Sequence, residues 1–195
     1  MPHSLIPNWT SSGLLPPIRS LDGTSPDRAP YIVTLRSLID RFATSPERIS
    51  ILQGFLNFRV ALHECGINKG FQWLNGSFMT HVEVIDSRNP NDIDVVTFFF
   101  LPPKMTQKSL MQSHSNLFSP TETKGIYRVD SYPFILNTSL QPRHVNEIAY
   151  WYSMWSHTKE TNLWKGFLQV NLAPDEESIA KQLLEQKNKE VTHES

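Results

Sequence analysis

Two short runs, Trp-Leu-Asn-Gly-Ser-Phe at residues 73–78 and Asp-Ile-Asp-Val-Val at residues 92–96, set the architecture that the sequence predicts. Side chains at i and i+2 of a β-strand leave the same face, about 6.6 Å apart along the chain. Asp92 and Asp94 therefore point the same way, while Ile93 and Val95 point into the opposite, apolar face. Two neighbouring carboxylates repel each other and need a cation to share. The pattern predicts a strand at the mouth of a sheet, beside a bound cation.

The cation that fits two such carboxylates is Mg²⁺, with Mn²⁺ as the alternative. Mg²⁺ prefers hard oxygen ligands and completes its shell with waters and substrate phosphates. Gly76 at the end of a strand lets backbone amides approach a polyphosphate, and Ser77 adds a hydroxyl donor beside them. Together these residues predict two metal ions that clamp the attacking and leaving oxygens of a displacement at phosphorus.

A Gly-Ser pair followed by Asp-x-Asp, with apolar residues on both flanks, resembles the nucleotidyltransferase superfamily of DNA polymerase beta-like folds. The chain is more closely similar to a family of small, largely uncharacterised bacterial nucleotidyltransferase-like proteins. The resemblance covers most of the chain. The segments that carry it are residues 8–17, 74–80, 90–96, 127–132 and 165–167.

The resemblance implies a third carboxylate, from a neighbouring strand, that serves as general base and metal ligand. The resemblance assigns this role to Asp130, which is flanked by apolar strand residues. It would take the proton from the acceptor hydroxyl. The implied catalytic residues and metal ligands are thus the same three carboxylates, Asp92, Asp94 and Asp130.

The implied nucleotide-binding residues are Gly76, Ser77 and Lys165. Lys165, in the Lys-Gly-Phe segment, is either a cation near the phosphates or a solvated lysine that enters a strand. Lys124 and Arg128 are further candidates of the same type. One segment departs from the superfamily pattern: residues 78–91, usually a helix there, contain β-branched residues and a proline and predict a strand or an extended loop.

Three regions follow one another along the chain. Residues 1–30, rich in Pro, Ser and Gly, predict an extended arm anchored by Trp9, Leu14 and Leu15. The resemblance implies a nucleotidyltransferase-like domain over residues 31–186. Residues 187–195 are charged and poor in apolar side chains, so we expect a flexible C-terminal end.

Helices and strands alternate within the central region. Periodic apolar residues predict helices over 35–44, 46–65 and 145–152, and a final helix from Pro174 with Ile179, Leu183 and Leu184 inward. Strands are predicted over 71–74, 92–101, 126–135 and 164–172. Residues 104–124 are predicted to form a mobile polar loop, with a short helix within it as the alternative. The predicted fold class is α/β or α+β, a mixed sheet flanked by helices. Trp151, Trp155 and Trp164 are predicted to be core residues, with base stacking as the alternative.

Composition excludes several classes of protein. Lys and Arg number 18 and Asp and Glu 19, a net charge of −1 that does not favour a nucleic-acid acceptor. One cysteine, Cys65, excludes an internal disulfide and a multi-cysteine zinc site. The longest apolar run, residues 95–103, is far shorter than the roughly 20 residues of a membrane helix. We expect no secretory signal, no membrane association and a cytoplasmic location.

The function predicted from these residues is Mg²⁺-dependent transfer of a nucleoside monophosphate from a nucleoside triphosphate to an acceptor hydroxyl. The alternative is an interaction protein on the same fold, an antitoxin or defence-system component that binds a protein partner with little or no catalysis. The aromatic-rich chain and the arm of residues 1–30 motivate this alternative. A nucleotide sensor that binds without transfer is a third class.

Overall fold

The computed structural model describes residues 5–136 and 139–193, with His193 as backbone only. Its centre is a five-stranded sheet in the order β1-β5-β2-β3-β4. The strands are β1 (Tyr31–Val33), β2 (Gly70–Asn75), β3 (Ile93–Phe99), β4 (Val129–Ile135) and β5 (Leu168–Asn171). Residues 1–4 of the predicted arm and 194–195 of the predicted C-terminal end lie outside the described residues.

Seven α-helices are found in the described part of the chain. They are α1 (Leu35–Phe42), α2 (Pro46–Glu64), α3 (Val82–Ile85), α4 (Gln107–Ser113), α5 (Pro120–Tyr127), α6 (Pro142–Trp155) and α7 (Glu177–His193). Short 3₁₀ turns occupy Ser77–Met79 and Ser115–Leu117. The predicted fold class, a mixed sheet flanked by helices, is confirmed.

The sheet mixes two strand directions. β2 runs antiparallel to β3 and to β5, whereas β1 pairs parallel with β5 and β3 pairs parallel with β4. The register places Asn75 opposite Asp94, and Asp94 opposite Asp130. Because paired residues share a face of the sheet, these three side chains stand in one row across three strands.

The first two helices confirm the sequence prediction. Thr34 and Ser45 precede α1 and α2, and the side chain of each accepts a hydrogen bond from a backbone N–H in the first turn. α2 ends at Glu64 with Cys65 as its C-cap, and Gly66 follows with φ +81°. Its buried side chains lie against the sheet, in one core with those of α1 and the strands.

The segment between Ser77 and the first aspartate begins with two helical pieces, so the predicted strand or extended loop is wrong for residues 78–85, whereas residues 86–91 are irregular. A 3₁₀ turn and α3 occupy Ser77–Met79 and Val82–Ile85. The buried guanidinium of Arg48 donates hydrogen bonds to the carbonyl oxygens of Phe78 (2.8 Å) and Thr80 (2.7 Å). Such tertiary contacts override the weak strand propensity of the β-branched residues.

Other boundaries also differ from the prediction. The predicted loop over 104–124 contains α4 and most of α5, because Thr106 and Ser119 cap these helices. Residues 126–127 belong to α5, which ends at Arg128 in a left-handed conformation with φ +57°. The strand predicted from Trp164 begins only at Leu168.

The two ends of the described chain pack onto the core. Leu14 and Leu15 of the arm are buried, and Trp9 Nε1 donates a hydrogen bond of 2.9 Å to the carbonyl oxygen of Met79. α7 buries Ala180 and Leu184, whereas Ile179 is 57% exposed, so its predicted inward orientation is wrong. α7 continues through residues 187–193 as helix.

We predict opposite effects of Ala at two helical glycines. A Cβ at Gly54 in α2 would lie 2.0 Å from the carbonyl oxygen of Tyr127, whereas a Cβ at Gly125 in α5 would meet no atom within 4 Å. Gly54→Ala should lower the free energy of unfolding by about 1–3 kcal/mol through overpacking. Gly125→Ala should raise it by about 0.5–1 kcal/mol through helix propensity. Urea unfolding measures both, and a stabilised Gly54→Ala would contradict the close contact of α2 with α5.

Within the described residues, none of the helices combines the length and the apolar character that crossing a membrane requires.

Candidate functional site

The end of β2 brings the backbone close to a carboxylate. Gly76 follows Asn75 with φ +85°, and a Cβ at Gly76 would lie 2.8 Å from Cγ of Asp94. Only glycine accommodates both the left-handed conformation and this approach. Ser77 then opens a 3₁₀ turn, whose first N–H groups have no partner within the turn.

The backbone after Ser77 is held from the other side by buried side chains. Arg48 donates to the carbonyl oxygens of Phe78 and Thr80 and forms an ion pair with Glu83 of α3. The Trp9 indole donates to Met79, the residue between those two carbonyls. Three successive carbonyl oxygens therefore have fixed partners, which makes the Gly76–Ser77 turn a rigid element.

Three carboxylates meet at the start of β3 and β4. Asp94 lies in β3 between Asn75 and Asp130 of the neighbouring strands, and Asp92 lies just before β3. Lys124 of α5 reaches between two of them: its Nζ lies 2.6 Å from Oδ2 of Asp92 and 3.9 Å from Oδ2 of Asp130. The structure thus brings together all three predicted carboxylates and adds an ammonium group.

The charges of these groups perturb one another. Burial, with the repulsion of Asp92 and Asp130, raises the pKa of Asp94 to about 6. The hydrogen bond with Asp92 raises the pKa of Lys124. Burial and then the nearby charge of Asp130 raise the pKa of Tyr132 to about 12. Asp94 is therefore a carboxylate whose ionised form lacks sufficient compensating positive charge.

Lys165 supplies a second ammonium group near Asp94. Burial lowers the pKa of Lys165, and the charge of Asp94 opposes that shift. Among the described residues, no carboxylate oxygen lies within the 4.0 Å of an ion pair with this ammonium. A partly buried cation without an ion-pair partner is suited to an anionic ligand.

A cleft of about 660 Å³ connects several of the predicted residues. Gly76, Ser77, Asp94 and Lys165 line it, together with α3 and residues 158–163. Asp92 and Asp130 do not line this cleft and instead lie against Lys124. The six predicted site residues thus form two adjoining groups, and Asp94 is the member that links them.

The remaining sequence candidates have other roles. Arg128 donates to the carbonyl oxygen of Asn91 and to the hydroxyl of Ser50. It therefore links the end of α5 to α2 and to the segment before β3, and it does not line the cleft. Trp155 is buried, as predicted, and Trp151 packs on Tyr132 with ring centroids 4.6 Å apart. Trp164 is exposed, so its predicted core position is wrong. It precedes β5 in an irregular segment, where strand spacing does not apply.

The donor chemistry of the three carboxylates fits a hard divalent cation, because all the donors are oxygens and the group carries excess negative charge. The described side chains do not yet form such a site: no three His, Cys, Asp or Glu residues among them are grouped to hold one ion. Lys124 is the cation that Asp92 binds in this structure.

Two residues of the site carry no recognisable sequence signal. Arg48 lies among the apolar residues of α2 and is only 1% exposed. Asn75 is buried beside Gly76, where its Nδ2 donates to the carbonyl oxygen of Trp155 and its Oδ1 has no partner among the described residues. A charged or amide residue in an apolar run is the only hint that either one has a fixed partner.

Comparison with known proteins gives one match. The model of a family described as "Family of unknown function (DUF6932)" matches residues 7–171, which include all six predicted site residues. No curated protein and no solved structure matches the chain. Because the match covers most of the 195 residues, the chain belongs to this family of unknown function.

Proposed function

We propose that the protein is a divalent-metal-dependent nucleotidyltransferase that moves a nucleoside monophosphate from a nucleoside triphosphate to an acceptor hydroxyl, in the cytoplasm. One observation carries the proposal. Gly76, Ser77, Asp94 and Lys165 line the same cleft, and Asp94 adjoins two further carboxylates. A cation site and an anion site side by side are what a metal-bound triphosphate requires.

The carboxylates Asp92, Asp94 and Asp130 would hold the metal ion. Mg²⁺, or Mn²⁺ in its place, would offset the negative charge that develops on the phosphate oxygens. Lys124 then exchanges its partner Asp92 for a phosphate or for solvent. Its side chain is 52% exposed and can reorient without disturbing the core.

The anion end of the cleft binds the triphosphate. The Lys165 ammonium pairs with phosphate oxygens, which gives it the ion-pair partner that the described side chains do not provide. The Gly76 backbone and the Ser77 hydroxyl donate to the same oxygens, and Arg48 keeps this turn in place. Fixed donors stabilise the transferring group without reorganisation during the reaction.

Asp130 takes the proton of the acceptor hydroxyl while the oxygen of that hydroxyl forms a bond to the α-phosphorus. The bond between the α-phosphorus and the bridging oxygen of the β-phosphate breaks, and pyrophosphate leaves. The products are a phosphodiester and pyrophosphate, so atoms and charges balance.

We expect label from α-³²P-labelled nucleoside triphosphates to be transferred when the protein, Mg²⁺ or Mn²⁺ and a lysate of its host are combined. The Asp92→Asn/Asp94→Asn variant should transfer at least about 100-fold less, since electrostatic stabilisation is the main source of rate. Asp40→Asn is the matched control, because Asp40 forms only an exposed pair with Arg36. Equal transfer by the double variant, or no transfer with any of the four nucleotides, would refute the proposal.

A second candidate function, binding of a protein partner, is favoured by exposed apolar side chains on α6. Val145, Tyr150 and Met154 of this helix are exposed apolar side chains. If the protein acts through such a partner, Val145→Ser/Tyr150→Ser should lose the partner in a co-purification from the host. Asp92→Asn/Asp94→Asn should retain it, and the opposite pattern would favour the enzyme.

A further inference from the structure

The cleft extends beyond its phosphate-binding end into a region with apolar walls. Ile85 of α3 and Leu163 of the segment before β5 line it and are 43% and 48% exposed. Leu14 and Val82 also line it and are buried. Apolar side chains that remain exposed inside a cleft gain free energy when a ligand covers them.

Both walls are held in place before any ligand binds. Residues 157–164 form a closed loop: His157 bridges to Trp164, with ring centroids 4.9 Å apart, and Thr158 N–H donates to the carbonyl oxygen of Leu163. On the other wall, Ile85 packs so closely on Gly13 that a Cβ there would lie 2.8 Å from Ile85 Cγ2. A ligand that enters therefore pays little ordering entropy.

Four polar side chains of this region are already paired with one another. The hydroxyls of Thr158 and Thr161 are 2.6 Å apart and share a hydrogen bond. Asp86 and Arg88 form an ion pair of 3.3 Å. Lys159 and Glu160 also line the cleft, and both are exposed to solvent. Among the described lining residues, Thr80 is the buried polar one, and it ends the turn that follows Gly76, where its carbonyl oxygen accepts from Arg48.

We propose that the nucleoside of the substrate lies between Ile85 and Leu163, held by apolar contact without hydrogen bonds to the base edge. This inference rests on the proposed function and identifies the part of the cleft that the triphosphate leaves free. The volume of about 660 Å³ is within the range of ligand pockets. A site without base-edge hydrogen bonds discriminates weakly between bases. The substrate class is therefore any of the four nucleoside triphosphates, rather than one of them.

The test is a binding measurement that separates the nucleoside from the phosphates. Calorimetry with Mg²⁺ compares α,β-methylene analogues of the four nucleoside triphosphates with inorganic tripolyphosphate. The proteins are the wild type, Ile85→Ser, Leu163→Ser and the control Val84→Ser, whose side chain is on α3, 66% exposed and outside the cleft lining. Circular dichroism establishes that each variant is folded.

We expect the four analogues to bind the wild type within about 10-fold of one another. Ile85→Ser and Leu163→Ser should each weaken analogue binding by about 10-fold, the scale of a lost apolar contact. Tripolyphosphate binding should be unchanged in all variants, and Val84→Ser should behave as wild type.

The outcomes separate this inference from the proposed function. Analogue binding that is unchanged in Ile85→Ser and Leu163→Ser, or a preference above about 100-fold for one base, would overturn the inference and leave the proposed function standing. If Ile85→Ser and Leu163→Ser weakened tripolyphosphate binding as much as analogue binding, the inference would be overturned as well. A wild type that binds neither the analogues nor tripolyphosphate would overturn both.

Discussion

Asp94→Asn should make the protein more stable at neutral pH while it removes nucleotide transfer. Burial and the charges of Asp92 and Asp130 raise the pKa of Asp94 to about 6 from an ordinary value of 3.8. The folded state therefore binds this proton more tightly than the unfolded state does, and stability falls as the pH rises from about 4 to about 6. An uncharged amide avoids that loss, which is on the order of 1–3 kcal/mol. Transfer should fall by at least about 100-fold.

Urea unfolding at pH 5 and pH 7.5 measures the stability half of this prediction. The difference between wild type and Asp94→Asn should be larger at pH 7.5, where Asp94 is ionised. Asp40→Asn on the exposed face of α1 should change stability by less than about 0.5 kcal/mol at either pH. A destabilised Asp94→Asn would show that the Asp94 carboxylate is needed for folding rather than for function.

Arg48→Met should be strongly destabilising. The variant leaves the carbonyl oxygens of Phe78 and Thr80 without their donor and Glu83 without its cation. Removal of one member of a buried, hydrogen-bonded ion pair costs about 3–5 kcal/mol. The turn that follows Gly76 loses its support at the same time, so binding of tripolyphosphate should weaken even under conditions in which the variant is folded.

Chemical denaturation and calorimetry test this prediction. Arg36→Met is the control, because Arg36 forms only an exposed pair within α1 and its loss should change the unfolding free energy by less than about 1 kcal/mol. Glu83→Gln added to Arg48→Met should restore part of the lost stability, since it removes the unpaired charge. If Arg48→Met unfolded like the control, Arg48 would not be what holds the turn.

The elements that sequence reasoning located best are those with strong local signals. α1 and α2 have a capping hydroxyl, and α2 also has proline in its first turn and glycine just after its end. The Asp92–Asp94 pattern correctly predicted a strand with apolar residues on its opposite face. Local rules suffice where capping, periodicity and burial agree.

Elements that depend on distant partners were not predictable from local pattern. α3 contains β-branched residues, and its helical form accompanies contacts of the preceding turn with Arg48, which lies more than thirty positions earlier in the chain. The place of Lys124 beside Asp92 depends on how α5 packs against β4, and the local pattern of residues 104–124 predicts a polar loop with at most a short helix. The row formed by Asn75, Asp94 and Asp130 depends on strand register, which only the folded sheet defines.

α7 shows how a segment outside the family match supports the site. The family match ends at residue 171, yet Glu177 of α7 forms a buried ion pair with Arg59 of α2. Arg59 also donates to Gln72 in β2, the strand that leads to Gly76. The helix thus stabilises the strand that leads to the Gly76–Ser77 turn.

The most direct test of the account is a crystal structure of the protein with Mg²⁺ and an α,β-methylene nucleoside triphosphate. The account predicts Mg²⁺ ligated by Asp92 and Asp94, Lys124 separated from Asp92, and phosphate oxygens on Ser77 and Lys165. An analogue bound elsewhere, with Lys124 still paired to Asp92 and Lys165 still without an anion, would contradict it.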